Sequence, residues 1–293
     1  MSTGEDSKRE RLLLPVTERR FVIVHYHIMK NAGSTIASVL GREFGEGFAD
    51  LDTQSANGLL TPADLQAHLE ANPQIRALTS HQIRLPAPDT DSIIVFECCF
   101  LREPIDRLVS LYSYLRKAGD ATALGELAAA HDLAGFFAGL LDRFPHMVLN
   151  PQTTIVANGG RFTRPPDEDD CARGIQMMRK LAVPGVVSRF EESLAAAEYF
   201  LQPAFPDLRL HYASQNVSRL PMADQERDRE IREALGEGMY REVARLNELD
   251  MRLFRATEQE VERRVGLVPD FARRVADLKQ RCAAMESFRP AVV

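Results

Sequence analysis

Lys30, Asn31, Ala32, Gly33, Ser34 and Thr35 form a run in which one cation is followed by small and hydroxyl-bearing residues. That combination suits a phosphate: backbone N–H groups can close on its oxygens where side chains are small, and an ammonium offsets charge on a bridging oxygen. Further along, Arg102 and Ser110 offer a guanidinium and a hydroxyl for a second phosphate. His81 lies between the two groups and is of a type that can take a proton near neutral pH, although a lone histidine after a strand is more often a structural or solvated residue. His25 and His27, beside the first run, are alternatives for that task or for packing. The run is not the triphosphatase loop GxxxxGK[ST], because Lys30 precedes Gly33 instead of closing the loop.

Each group needs an element to hold it. Phe21, Val22, Ile23 and Val24 form a β-branched block that reads as a buried strand of a parallel sheet. Ile36, Val39 and Leu40 then recur at helical spacing, so the Lys30 run ends at a helix N-terminus, where free N–H groups and the helix dipole favour an anion. Ile93 to Leu101 reads as a second strand leading into a helix with Pro104 in its first turn and Leu108, Leu111, Tyr112 and Leu115 on one face. Thr61, Pro62 and Asp64 open another helix, with Leu65 and Leu69 facing inward, and Ile75 to Ser80 reads as a strand arriving at His81. Ala118 to Asn150 is helical in character, with an apolar set running from Leu124 to Leu141, Asp167 to Leu181 a further helix, Val183 to Val187 a fourth strand and Leu208 to Tyr212 a last one. Repeated strand-then-helix units predict an α/β fold, a central parallel sheet flanked by helices, with ligands across the carboxyl ends of the strands.

The run Lys30 to Thr35, with His27 ahead of it, resembles the 5′-phosphosulfate loop of sulfotransferases that use 3′-phosphoadenosine 5′-phosphosulfate (PAPS). Arg102-x-Pro104-x-x-Arg107-x-x-Ser110-x-Tyr112 resembles their 3′-phosphate segment. The likeness is nearest to the heparan 2-O-sulfotransferase-like and bacterial carbohydrate-type branch, whose loop often reads HxPKxGGT. Met29 replaces that proline, and Ala32 replaces the first glycine, permitting close backbone approach but not a strained positive φ. Ser188 to Leu194 is similar to a segment many of these enzymes carry after a core strand, and Gln215 to Arg219 to the late loop that closes over the nucleotide. The resemblance implies a P-loop-like three-layer fold and transfer of a sulfuryl group from PAPS, leaving the 3′,5′-bisphosphate PAP, to a hydroxyl of a carbohydrate or small-molecule acceptor. It implies that Lys30 and His81 are catalytic, His81 being the base, and that Lys30, Asn31, Ala32, Gly33, Ser34, Thr35, Arg102 and Ser110 hold the nucleotide.

The chain has 293 residues, 45% of them hydrophobic, and a net charge of −6 with a pI near 5.7. This balance argues against a general nucleic-acid binder and for local basic groups gathered round an anion. No early stretch is apolar for long enough to be a signal peptide or membrane span, so a soluble cytoplasmic enzyme is expected. The four cysteines make neither a disulfide framework nor metal spacing, and no metal is expected. The organisation reads as a mobile arm over 1–19, a catalytic domain over 20–256 and a helical extension over 257–293. Asp224 to Ala256 reads as one long helical stretch. Val261 to Met285 suits a helix packed on its own domain, the preferred reading, or one pairing in a homodimer. A P-loop-like small-molecule kinase and a non-catalytic nucleotide-binding protein are the alternative functions. The kinase lacks the GK[ST] ending and an acidic strand end for Mg²⁺, and the scaffold has no need of Lys30, His81 and Arg102 together.

Overall fold

The computed structural model describes residues 19–55, 58–213 and 224–287. The expected N-terminal arm, up to residue 18, and the late loop around Gln215 to Arg219 lie outside the described residues. Five strands, β1 (Arg20–Tyr26), β2 (Phe48–Asp50), β3 (Ala77–Ser80), β4 (Ile93–Leu101) and β5 (Val183–Val186), form one sheet in the order β2-β3-β1-β4-β5. Every pairing is parallel. Tyr26 pairs with Ser80 on one side and Cys99 on the other, so three adjacent strands end almost level.

The helices among the described residues are α1 (Gly33–Phe44), α2 (Pro62–Ala71), α3 (Pro104–Ala118), α4 (Ala123–Ala130), α5 (Leu133–Arg143), α6 (Pro151–Ala157), α7 (Glu168–Lys180), α8 (Phe190–Leu201), α9 (Asp224–Leu235), α10 (Glu237–Leu246), α11 (Glu248–Val265) and α12 (Phe271–Ser287). Successive side chains of a strand face opposite ways, and β1 buries both sets. Val22, Val24 and Tyr26 pack with Leu65 and Leu69 of α2, Met178 of α7 and Leu253 and Val261 of α11. Ile23 packs with Ile36 and Val39 of α1, Leu194 and Leu201 of α8 and Leu278 of α12. The fold is therefore an α/β sandwich of three layers, P-loop-like, with the sheet in the middle. A third cluster joins Leu108 and Leu111 of α3, Phe136, Phe137 and Leu140 of α5, Ile231 of α9 and Val243 of α10, and makes a helical body beside the sheet.

Local chemistry sets several boundaries. Thr61 caps α2 through a reciprocal box: its hydroxyl accepts from the Asp64 N–H at 3.2 Å, and the Asp64 carboxylate accepts from the Thr61 N–H at 2.8 Å. Leu208 to Tyr212 is not a strand. The N–H of Arg209 donates to Glu43 at 3.0 Å and that of Leu210 to Glu198 at 2.8 Å, so carboxylates replace the ladder that a sixth strand would supply. Asp224 to Ala256 is not one stretch but α9, α10 and part of α11, broken at Gly236, whose φ is 73°, and at Asn247. α11 runs unbroken through residue 256, where a domain boundary was expected, and α12 buries Leu278 against the chain's own α8 side.

Candidate active site

The Lys30 run leaves the carboxyl end of β1, His81 follows β3 and Arg102 follows β4, so the topology alone gathers them. They line an open cleft of about 240 Å³ together with His27, Met29, Ala32, Gly33, Ser34, Thr35, Ser110 and Tyr114.

The loop is shaped by two left-handed residues, Lys30 at φ 68° and Ala32 at φ 61°. This corrects the expectation that alanine would avoid positive φ. Such a conformation costs an L-residue about 1–2 kcal/mol, so neighbouring contacts must hold it. They centre on Asn31, between the two, and this is a second correction: its side chain is buried and turned from the cleft, donating at 2.8 Å to the Phe100 carbonyl and at 2.8 Å to Gln152 Oε1. Two buried hydrogen bonds, each worth about 0.5–1.5 kcal/mol net, are of the size needed to offset that cost. Arg102 adds a third tie by donating to the Lys30 carbonyl at 3.1 Å. Ala32 is the N-cap of α1 with no side-chain cap, and the N–H groups of Thr35 and Ile36 turn back to its carbonyl. The amides ahead of them, Gly33 and Ser34, are left at the helix N-terminus to meet an anion. Gly33 is glycine for a different reason: an added Cβ would lie 1.8 Å from a ring carbon of His27.

Lys30 holds its Nζ 4.0 Å from the centre of the exposed Tyr114 ring, a cation–π contact. Burial, and then repulsion from Arg102, lower the pKa of its ammonium. Two cations that repel each other across a cleft make a place for a polyanion. Arg102 is also paired with Asp106, which takes a second guanidinium, that of Arg227 on α9. Ser110 lines the cleft one helical turn before Tyr114. Arg107 and Tyr112, part of the same sequence pattern, do not line it: Arg107 is buried and donates to the Met147 carbonyl at 2.7 Å, and the Tyr112 ring packs on Phe136.

His81 is exposed and oriented by contacts on several sides. Asp52 accepts from its N–H at 2.9 Å and from the Ser80 hydroxyl at 2.9 Å. Its Nδ1 lies 3.0 Å from the His27 carbonyl, and a carbonyl only accepts, so Nδ1 carries the hydrogen and Nε2 keeps the lone pair of a base. The His27 ring stacks on it at 3.7 Å between centroids. Burial, and then the field of His81, push the His27 pKa down to about 3, and burial keeps His25, bonded at 2.8 Å to the Thr79 hydroxyl, well below its usual range. Among the described residues no cluster of His, Cys, Asp or Glu is arranged to hold a metal, and no helix is long and apolar enough to cross a membrane.

The sequence pattern of the Sulfotransferase family matches residues 15–255 of this chain. The chain belongs to the sulfotransferase family. The sulfotransferase is also similar to an uncharacterized protein of Archaeoglobus fulgidus, 26% identical over 246 residues that cover 80% of this chain and 95% of the relative. Family membership makes it a transferase of sulfuryl groups, and the cleft at the strand ends is where such chemistry can be done.

Sequence reasoning missed three residues of this sulfotransferase's candidate site. Tyr114 was detectable, since it follows Ser110 at the i, i+4 spacing that puts both on one helix face. Asp52 and Gln152 act through backbone and buried contacts far away in the sequence, and no local signal marks them.

The buried histidines have a consequence for stability. The unfolded chain protonates them near 6.5, whereas the fold resists down to about 3 at His27, so the unfolded state binds more protons as the pH falls below 6.5 and stability drops with it. Glu103, raised by burial to about 6, works the other way, because the fold takes its proton first. His211 is lowered as these two are, and Asp50 and Asp250 are raised by burial as Glu103 is. Because the ordinary value of all three histidines falls between pH 5 and pH 7.5 and that of the carboxyls falls below it, calorimetry should give a lower melting temperature at pH 5 than at pH 7.5. His27→Gln should reduce the slope; an unchanged slope would mean that His27 titrates normally in the fold.

Proposed function

We propose that this sulfotransferase moves a sulfuryl group from PAPS to a hydroxyl of a carbohydrate or small-molecule acceptor, with Lys30 and His81 as the catalytic groups. The observation that carries this reading is the pair of mutually repelling cations, Lys30 and Arg102, set round a helix N-terminus with uncapped amides. The donor set fits a nucleotide phosphorylated at both ends. The amides of Gly33 and Ser34, the hydroxyls of Ser34 and Thr35 and the Lys30 ammonium suit the 5′-phosphate, and Arg102 with Ser110 suits the 3′-phosphate. Ala32 contributes its backbone conformation, and Asn31 contributes by holding that conformation.

PAPS, when bound, supplies the sulfuryl group. The chain's own part is to fix the phosphates, to take the acceptor's hydroxyl proton on Nε2 of His81, and to hold the Lys30 ammonium where negative charge grows on the departing phosphate. His81 reaches the cleft from β3 while the phosphate loop hangs from β1, which suits approach from opposite sides of the transferred group.

Calorimetry with adenosine 3′,5′-bisphosphate, with and without Mg²⁺, tests the reading. Binding should be independent of the metal and should weaken markedly when the 3′-phosphate is removed or when Arg102 is replaced by alanine. Equal affinity for the bisphosphate and for adenosine 5′-monophosphate would remove Arg102 and Ser110 from the nucleotide site.

A further inference from the structure

Gln152, on the first turn of α6, is completely buried and touches both halves of the cleft's floor. Its Oε1 accepts from Asn31 Nδ2 at 2.8 Å and from the Arg102 N–H at 3.1 Å, while its Nε2 donates to the Arg102 carbonyl at 2.8 Å. One amide thus clasps the main chain of Arg102 on both sides and the loop residue that separates the two left-handed positions. The amide is itself held from behind. The carboxylate of Asp250, fully buried on α11, accepts from the N–H groups of Gln152 at 2.9 Å and Thr153 at 2.6 Å, and the Asp250 N–H donates to Asn150 Oδ1 at 3.0 Å. The two ends of α6 and α11 therefore cap each other, which fixes where the Gln152 side chain begins.

We propose that Gln152 is a positioning residue that sets the separation between the Lys30 loop and Arg102, and so selects a ligand carrying two phosphates at a fixed spacing. This rests on the nucleotide reading above. β1 and β4 fix the strand ends, but both site residues lie beyond the ladder, and Gln152 bridges that gap through side-chain contacts to each. Removing it leaves each phosphate subsite present but joined only by the Asn31 contact to the Phe100 carbonyl and the Arg102 contact to the Lys30 carbonyl, which loosens one against the other. The cost then falls on ligands that engage both subsites at once.

The test compares adenosine 3′,5′-bisphosphate with adenosine 5′-monophosphate on the full chain by calorimetry. In Gln152→Leu, which keeps bulk and removes all three polar contacts, the preference for the bisphosphate should fall roughly tenfold or more; monophosphate affinity should fall too, by the smaller amount that one lost bond beneath the Lys30 loop costs. Gln152→Glu keeps the two acceptor contacts and, with its buried carboxyl protonated, the donor to the Arg102 carbonyl, and should show a smaller fall; it also gives a reading if the leucine variant does not fold. A simple loss of packing would weaken both ligands alike. A preference retained in the variants, whether affinity for both ligands is kept or falls equally, overturns the inference alone. Absence of any preference in the parent protein overturns the nucleotide reading, and the inference with it.

Discussion

Replacing His81 with alanine is expected to lower turnover by roughly 10²- to 10⁴-fold while leaving nucleotide affinity nearly unchanged, the range usual for a lost general base. The ring's setting suits that proposed task in a way the sequence does not reveal. Its Nδ1 hydrogen is committed to the His27 carbonyl at 3.0 Å, and the stacked His27 ring, kept neutral by burial, limits how the imidazole can turn. Nε2 is therefore the basic atom, and Asp52 fixes the backbone from which it projects. Affinity should survive because His81 hangs from β3, whereas the phosphate donors hang from β1 and β4. Turnover measured with radiolabelled PAPS and the true acceptor decides the matter. Near-normal turnover would send the search for a base elsewhere, and two carboxylates are poor substitutes. Glu97 is engaged by the Tyr26 hydroxyl and the Ala87 N–H, and Glu103 accepts from the Asp106 N–H at the start of α3.

Lys30→Ala should reduce turnover by roughly 10²-fold or more and nucleotide affinity by much less, because an ammonium beside a developing oxyanion stabilises the transition state more than the ground state. The Lys30 ammonium is held in the cleft by the Tyr114 ring, and Arg102 nearby disfavours its charge. An arriving anion relieves that repulsion, so the charge is worth most when negative charge is greatest. Measuring kcat and the dissociation constant of the bisphosphate on the same variant separates the two effects. Equal and small losses in both would reduce Lys30 to a binding group.

The frame of the molecule was legible because it is written in local patterns. The apolar runs at Phe21 to Val24 and Ile93 to Leu101 are β1 and β4, and Thr61 with Asp64 announces α2 by its cap. β2, only three residues long, is too short to carry a period and is held through its pairing with β3. Leu208 and Leu210 are buried like strand residues, yet Glu43 and Glu198 take the backbone donors between them, a substitution invisible without the fold. At the site, residue types pointed to the cleft, but not to which groups face it. Asn31 has the right neighbours and turns inward, while Tyr114 stands two residues beyond the aromatic that the family-like pattern suggested. Ala32 adopts a glycine-like backbone because buried amide contacts beside it outweigh its intrinsic preference.

The parallel register that brings Arg20 opposite Ile93, together with the contact from Asn31 to Gln152 across 121 positions, has a consequence for the order in which this molecule comes into being. Hairpins form early because their partners are neighbours, but a sheet whose central strand pairs only with distant ones must close large loops first. During synthesis the Lys30 loop emerges long before α6 and α11, which give its left-handed path support. A nascent chain that ends before Asp250 lacks the buried carboxylate that anchors Gln152. The cleft should therefore mature in a single late step, and a ligand engaging both phosphate subsites should protect the amides of β1, β4 and α6 from hydrogen exchange together as one cooperative unit.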